Sequence, residues 1–153
     1  MGKYARMRHA LGALSVAGAA VLVFQGCGSD SGSGGEHTGQ SCTSTSQCYA
    51  GLDQSKLKGA VQCLSVTGGY CTHECQTDTD CCAASGECRT GFPQVCAPFE
   101  STGKSYCFLS CEASTVSAAN YQDDNLFCQQ NASAAFGCRS TGGGSQNRKV
   151  CLP

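Results

Sequence analysis

The sequence predicts a small disulfide-rich domain, dominated by loops, with short β-hairpins, two short helices and tandem cysteine-rich repeats. Fourteen cysteines lie between Cys42 and Cys151, which exceeds the roughly 8 to 10% that marks a disulfide scaffold. The same region has no tryptophan and few large apolar side chains, and small exported domains with thin cores rely on disulfides. A short cysteine-containing pattern also recurs along the region, which indicates repeats.

The first 26 residues have the composition of an export signal. Lys3, Arg6 and Arg8 give a positive start, and residues 10–24 form a mostly apolar run. A transmembrane helix needs about 20 apolar residues, so this run predicts a signal peptide over residues 1–26. The chain has 15 cysteines, and 14 remain when Cys27 is left out. Because 14 is an even number, all of these cysteines can pair in disulfides.

Residues 21–27, with the sequence VLVFQGC, resemble the processing site of a bacterial lipoprotein. In that family the cysteine after the cleavage site is acylated and becomes the mature N-terminus. The resemblance implies that Cys27 is lipidated and that the membrane is a partner through this acyl anchor. Gly28 stands where Asp tends to retain family members at the inner membrane, which implies sorting to the outer membrane or cell surface. The alternative is an ordinary cleaved signal, which leaves one cysteine unpaired.

Residues 27–41 are predicted to be the lipidated N-terminus and a flexible tether, because Gly and Ser dominate the segment GSDSGSGGEHTGQS. Removal of the signal leaves seven basic and eleven acidic residues in the mature chain. The mature chain has no basic run that would hold phosphates, so we expect no nucleic acid partner.

The rest of the chain, residues 42–153, is predicted to be one disulfide-rich repeat domain. The pattern appears as VQCL at 61–64, QVCA at 94–97 and KVCL at 149–152. Aligning these copies predicts units of about 42–63, 71–96 and 107–151. Two of the units hold an odd number of cysteines, so we expect a disulfide between units and a compact array. The cysteines predicted to form disulfides, with the connectivity left open, are Cys42, Cys48, Cys63, Cys71, Cys75, Cys81, Cys82, Cys88, Cys96, Cys107, Cys111, Cys128, Cys138 and Cys151.

Local patterns predict little regular structure between the cysteines. Glycine-containing turns before Tyr70 and Val95 predict short strands. Residues 112–121 and 129–136 contain alanine but neither glycine nor proline, and each predicts a short helix.

Two further resemblances concern the cysteine spacing. Gly69-Tyr70-Cys71, Cys75, Asp78-Thr79-Asp80-Cys81, Cys88 and Val95-Cys96 resemble the tandem cysteine-rich repeats of exported bacterial lipoproteins. That resemblance says little about activity. The six cysteines from Cys71 to Cys96 also resemble an inhibitor cystine knot, which implies the pairs Cys71–Cys82, Cys75–Cys88 and Cys81–Cys96.

Metal binding is the less favoured interpretation of two clusters. Cys71, His73, Cys75, Cys81, Cys82 and Cys88 are possible zinc ligands, but an oxidising compartment favours disulfides and paired C-x2-C motifs are absent. We expect His73 to be a solvated loop residue. Asp78 with Asp80, and Asp123 with Asp124, could offer oxygens to calcium, although solvated aspartates in turns are the simpler interpretation. We expect no metal and no cofactor.

The sequence contains no Gly-x-Ser-x-Gly, His-Glu-x-x-His or phosphate-loop motif. The leading hypothesis is therefore a non-enzymatic, lipid-anchored protein of the cell envelope or surface, a rigid display or binding module for an extracellular protein or glycan. The alternative is a secreted or tethered knottin-like protease inhibitor, with Arg89 in a loop between Cys88 and Cys96. A third class, a thiol redox or metal-handling protein, predicts free thiols.

Overall fold

The computed structural model describes residues 36–99, 103–142 and 144–153. The predicted signal peptide, Cys27 and most of the predicted tether lie outside the described residues. Within these ranges the chain forms six short strands and two short helices, joined by loops and single 3-10 turns. The strands are β1 (Val61–Leu64), β2 (Tyr70–His73), β3 (Gln94–Pro98), β4 (Ser105–Leu109), β5 (Gly137–Ser140) and β6 (Lys149–Leu152), and the helices are α1 (Ala113–Ala118) and α2 (Asp124–Asn131). The predicted fold class is confirmed.

The strands form three antiparallel hairpins, β1 with β2, β3 with β4, and β5 with β6. Each hairpin carries one cysteine on each strand, and the two cysteines lie directly opposite one another. These opposed cysteines do not bond to each other. Each bonds instead to a cysteine from the segment before the hairpin, so that segment is fastened to both strands. The opposed pairs are Cys63 with Cys71, Cys96 with Cys107 and Cys138 with Cys151.

All fourteen cysteines of the described ranges form disulfides, as predicted. Six of the seven bridges repeat one scheme three times, in which the first cysteine of a unit bonds the third and the second bonds the fourth. The additional bridge, Cys82–Cys88, lies inside the second unit. The repeated bridges are Cys42–Cys63 and Cys48–Cys71 in unit one (residues 42–73), Cys75–Cys96 and Cys81–Cys107 in unit two (75–109), and Cys111–Cys138 and Cys128–Cys151 in unit three (111–152).

These boundaries differ from the predicted ones. The copies at 61–64 and 94–97 are the first strands of their hairpins, whereas the copy at 149–152 is a second strand. The alignment of all three therefore assigns the two strands of the first hairpin, and those of the second, to different units. The observed units each hold an even number of cysteines, and every described bridge lies within one unit. By the predicted boundaries, Cys48–Cys71 and Cys81–Cys107 each join two units, so the expected disulfide between those units is confirmed.

The pairing implied by the cystine-knot resemblance is wrong. Cys71 bonds Cys48, because β2 belongs to the hairpin of unit one. The remaining cysteines of that set bond within unit two, in the pairs Cys75–Cys96, Cys81–Cys107 and Cys82–Cys88.

One of the two predicted helices is confirmed, and the other is displaced. Helix α1 lies inside residues 112–121. Helix α2 begins five residues before the predicted 129–136, because Asp123 caps its first turn. The Asp123 carboxylate accepts hydrogen bonds from the backbone N–H groups of Asn125 and Leu126, which are otherwise unpaired at a helix start.

A capped 3-10 turn precedes the second cysteine in both unit one and unit two. Gln47 accepts from the backbone N–H groups of Thr43 and Ser44. Asp80 accepts in the same way from Gln76 and Thr77, and these backbone hydrogen bonds hold the pKa of the Asp80 carboxyl below its ordinary value. Asp80 is thus a turn-forming aspartate, as expected.

The three units share one core although no described disulfide joins them. Tyr70 of unit one, Phe108 of unit two and Phe136 of unit three are buried together. The Tyr70 ring centroid lies 5.4 Å from that of Phe108 and 5.7 Å from that of Phe136. The residues that connect the units also pair with strands: Glu74, after unit one, pairs with Tyr106 of unit two, and Ser110, after unit two, pairs with Val150 of unit three. The predicted compact array is confirmed.

The docked segment (residues 36–40) differs from the flexible tether predicted to reach Ser41. Glu36, His37 and Thr38 are 2%, 3% and 1% exposed. The segment also pairs with the outer side of β2, since Gly39 N–H donates to the Cys71 carbonyl and Cys71 N–H donates to the Gln40 carbonyl, each at 2.8 Å. Any tether therefore ends before Glu36.

Candidate functional site

An open groove of about 700 Å³ lies between the two helices of unit three. This volume falls in the range of roughly 300 to 1,000 Å³ typical of small-ligand pockets. We call it the α1–α2 groove. Its wall and floor residues are Cys111, Ala113, Val116, Ser117, Asn120, Tyr121, Gln122, Asp123, Asp124, Asn125 and Lys149.

The groove exists because unit three carries extra residues between its first two cysteines. Five residues separate those cysteines in units one and two, whereas sixteen separate Cys111 from Cys128. The shorter segments form one 3-10 turn each, and the longer segment forms α1, a turn and the start of α2. The scaffold is thus the same in all three units, and the groove is specific to unit three.

The turn after α1 places Asn120 and Tyr121 in the groove wall. Asn120 has a φ of 61°, a left-handed conformation that asparagine tolerates better than most residues. This reversal lets the Tyr121 N–H donate to the Val116 carbonyl at 3.0 Å and close the helix end. The Tyr121 ring packs edge-on against Phe127, and its hydroxyl donates to Gln130 Oε1 at 2.8 Å. The half-exposed ring is therefore held by two contacts.

Asn125 is fixed in the opposite wall by its carbonyl oxygen. Its Oδ1 accepts from the backbone N–H of Cys138 at 2.9 Å. This approach requires Gly137, because a Cβ at that position would lie 2.9 Å from Asn125 Oδ1. Within the described part of the chain, the amide nitrogen of Asn125 makes no hydrogen bond. Its two N–H donors remain available to a ligand.

The charges that line the groove largely compensate each other. Lys149 Nζ lies 3.3 Å from Asp124 Oδ2. Asp123 is the N-cap of α2, where the helix dipole favours a carboxylate. Both aspartates therefore have structural roles: Asp123 caps α2, and Asp124 is an ion-paired residue of its first turn instead of a solvated turn residue.

A second cluster of polar groups is buried beneath the docked segment. The Glu36 carboxylate accepts from the backbone N–H groups of Arg89 and Thr90, from the Thr90 hydroxyl and from Gln94 Nε2. His37 Nε2 accepts from Arg89 Nε at 3.1 Å. Burial, and next the positive charge of Arg89, lower the pKa of His37 below its ordinary value.

His73 is buried in the same region, and its prediction as a solvated loop residue is wrong. Its Nδ1 lies 2.8 Å from the Glu74 carbonyl, and its Nε2 lies 2.7 Å from Glu87 Oε1. The Glu87 carboxylate also accepts from the backbone N–H groups of Cys82 and Ala84. Burial raises the pKa of Glu87, but these hydrogen bonds outweigh burial and hold it below its ordinary value. The pair joins β2 of unit one to unit two, and both side chains are fully buried.

The cysteines considered as zinc ligands are joined in disulfides. Each unit has one cluster of three sulfur atoms within 4.8 Å of one another, formed by its first, second and fourth cysteines. These clusters are two bridges side by side. A sulfur in a disulfide is not a thiolate, so these cysteines do not offer the ligand that zinc requires. The vicinal Cys81 and Cys82 belong to separate bridges.

The loop proposed for protease inhibition is fastened to the docked segment. The backbone N–H groups of Arg89 and Thr90 are both bonded to Glu36, and the Arg89 guanidinium donates to His37. The side chain of Arg89 is exposed, but its backbone is committed to internal contacts.

No protein-family model, curated protein or solved structure matches this chain.

Apart from Asp123, Asp124 and the disulfide cysteine Cys111, sequence reasoning did not identify the groove residues. Asn120, Tyr121 and Asn125 belong to no motif, and α2 was placed too late in the chain. The available signal was the long segment between Cys111 and Cys128, which marks an insertion into a repeated scaffold.

Proposed function

We propose that this chain is a non-enzymatic binding module, anchored to the cell envelope or cell surface through Cys27, and that it binds its partner in the α1–α2 groove. The observation that carries the proposal is the position of the groove in the insertion of unit three. The repeated scaffold needs no such insertion to fold, since units one and two form the same bridges without it. Extra chain that builds an open polar groove is better explained by binding than by stability.

The scaffold suits a binding role outside the cytosol. Dense disulfides indicate an oxidising, exported environment, and the described residues carry seven of them. Unit three has two bridges, one from Cys111, two residues before α1, and one from Cys128 within α2. A wall that is already rigid loses little conformational entropy when a ligand binds. The described ranges contain no helix long and apolar enough to cross a membrane.

The anchor is supported by the sequence pattern of residues 1–27. The test is a Cys27→Ser variant, with Ser33→Ala as the matched control in the same segment. We expect the control to take up labelled fatty acid and to remain in the membrane fraction, and the Cys27→Ser variant to do neither. Uptake of label by the Cys27→Ser variant, or no label on either protein, would refute the anchor.

A protease inhibitor receives less support from the structure. The implied knot pairing is absent, and Arg89 and Thr90 use their backbone N–H groups internally. We expect the mature chain to leave a panel of trypsin-like proteases unaffected. Inhibition that disappears in an Arg89→Ala variant would instead establish the inhibitor function.

A further inference from the structure

We infer that the α1–α2 groove binds a neutral saccharide chain. This inference rests on the proposed binding function and specifies the class of ligand. Three properties of the lining carry it: compensated charge, amide and hydroxyl groups that are free to bind, and one firmly held aromatic ring.

The charge of the lining disfavours ionic ligands. A cationic ligand would have to compete with Lys149 for Asp124 and with the Asn125 and Leu126 N–H groups for Asp123. An anionic ligand would meet the carboxylates of Asp123 and Asp124 on the same wall. Displacing an ion-paired charge, or placing a like charge beside it, is unfavourable in a partly desolvated groove. A neutral ligand does neither.

The polar groups of the groove match a ligand that both donates and accepts hydrogen bonds. The side chains of Ser117, Asn120 and Gln122 make no hydrogen bond to other described residues. Each of these side chains provides a donor and an acceptor, as does each hydroxyl group of a sugar. Asn125 adds two N–H donors in a fixed position, since its carbonyl oxygen is held by Cys138 N–H.

The apolar part of the lining also fits a sugar ring. Tyr121 is half-buried, and its contacts with Phe127 and Gln130 fix the ring. An aromatic ring can pack against the C–H groups of a pyranose while the hydroxyls reach the amides. An extended peptide would instead seek a free strand edge or deep apolar pockets. Near the groove the edge of β6 is already used, because the Lys149 carbonyl accepts from Cys111 N–H.

The test is a titration of the full mature chain, followed by the NMR shifts of its backbone and side-chain amides. The probes are short neutral oligosaccharides of hexose or N-acetylhexosamine, with oligolysine and a sulfated oligosaccharide as charged comparisons. We expect saturable shifts at Asn120, Tyr121 and Asn125 with a neutral oligosaccharide. We expect neither charged probe to give them.

The Asn125→Asp variant tests the amide donors. Aspartate retains an acceptor for Cys138 N–H but loses both N–H donors. We expect affinity for the oligosaccharide to fall at least about tenfold, as for the loss of one good hydrogen bond. Gln129→Glu makes the same chemical change at an exposed position of α2 outside the groove, and we expect it to bind like the wild type.

Gly137→Ala tests the position of Asn125 without changing any group in the groove lining. The added Cβ would lie 2.9 Å from Asn125 Oδ1, so the amide must move. Gly91→Ala is the control, because a Cβ at that position contacts nothing within 4 Å. We expect weaker binding in Gly137→Ala alone.

Each other outcome overturns the inference in a distinguishable way. Groove shifts with oligolysine or the sulfated probe, and none with neutral sugars, would overturn the saccharide class and leave a binding groove. Equal affinity of wild type, Asn125→Asp and Gly137→Ala would place any sugar binding elsewhere. No groove shift with any probe would overturn the inference while leaving the anchor intact, because the anchor is measured by acyl labelling.

Discussion

His37 links the docked segment to unit two through a contact that requires a neutral ring. Arg89 Nε donates to His37 Nε2, so this nitrogen must carry no proton. The other groups around the ring are Glu36 in the same segment, Tyr49 stacked at 5.7 Å, and Glu87. Protonation at Nε2 would place an imidazolium against the guanidinium.

The first prediction follows from the direction of the His37 pKa shift. The folded state holds the pKa below its ordinary 6.5, so the unfolded chain takes up the proton more readily. The free energy of unfolding is then highest above pH 6.5 and falls as the pH decreases below it, by at most about 1.4 kcal/mol per pH unit. The pKa of Glu87 is lowered from 4.5, so protonation of this carboxyl reduces the free energy of unfolding further only below pH 4.5. Denaturant unfolding at pH 7.5 and 5.5, about one unit either side of pH 6.5, measures the effect of His37.

The control for this prediction is His37→Phe, which keeps a ring against Tyr49 but cannot titrate. We expect this variant to lose the difference between the two pH values. If the difference persists in His37→Phe, another group controls it, and the assignment to His37 is wrong.

The second prediction concerns the buried pair of His73 and Glu87, whose side chains are both fully buried. Glu87→Gln keeps the shape of the side chain but removes the charge that faces His73 and two backbone N–H groups. We expect the free energy of unfolding to fall by about 2 to 3 kcal/mol, as for the loss of a hydrogen bond to a charged group. Glu74→Gln, at the half-exposed pair with Lys104, should cost less than about 1 kcal/mol. Equal losses in the two variants would show that burial of the pair does not matter.

At the scale of elements, the disulfides differ in the length of chain that they close. Cys82–Cys88 closes six residues, whereas Cys81–Cys107 closes 26. Loop-closure entropy predicts a cost of about 2 kcal/mol for removing the short bridge and about 3.5 kcal/mol for the long one. Cys81 and Cys107 are also buried, and Cys82 is exposed.

The third prediction is that Cys82→Ala/Cys88→Ala destabilises the protein less than Cys81→Ala/Cys107→Ala. Denaturant unfolding of the two double variants measures the difference. Limited reduction of the wild type, followed by alkylation and mass spectrometry, provides an independent check. We expect Cys82–Cys88 to open first, because among the described bridges it alone has an exposed cysteine. Earlier opening of Cys81–Cys107 would contradict this ordering.

The number of cysteines and the turn-forming residues made the fold class predictable. The positions at which each repeat unit begins and ends were not predictable. The copies VQCL and KVCL look alike because both strands of a hairpin need an apolar residue beside a cysteine. Sequence similarity therefore could not distinguish a first strand from a second. The cap at Asp123, which sets the start of α2, was visible in the sequence but was treated only as a turn residue.

Burial of the polar residues was not predictable from their local sequence. Glu36 and His37 end a run of glycine and serine, and nothing beside them indicates a core. Their burial depends on partners more than fifty residues away, chiefly the backbone of Arg89 and Thr90. Asn125 is exposed, but its side chain is likewise held by a residue outside its local sequence, Cys138, thirteen residues later. Contacts between residues far apart in the sequence depend on which hairpins pack together. That packing depends on the disulfide connectivity, which the spacing of the cysteines does not determine.

At the scale of the whole molecule, the three units are joined by packing and hydrogen bonds instead of disulfides. Phe136 of unit three stacks on Tyr70 of unit one, next to Gly39 of the docked segment. Arg148 of unit three is paired with Glu112 of its own unit and with Asp78 of unit two. The hydrophobic contacts should dominate, because partly exposed ion pairs contribute little.

The fourth prediction is that Phe136→Ala destabilises the whole domain and not only unit three. Phe136 is 6% exposed, and its loss should cost about 3 to 5 kcal/mol by transfer and cavity formation. Leu126→Ala, in the same unit but 43% exposed, should change stability by no more than about 0.5 kcal/mol. Hydrogen exchange distinguishes shared from separate stability. With one continuous core, Phe136→Ala accelerates exchange of the strand amides in units one and two as well as in unit three. Acceleration confined to residues 111–152 would show that each unit is stabilised by its own bridges, and that the shared aromatic cluster adds little.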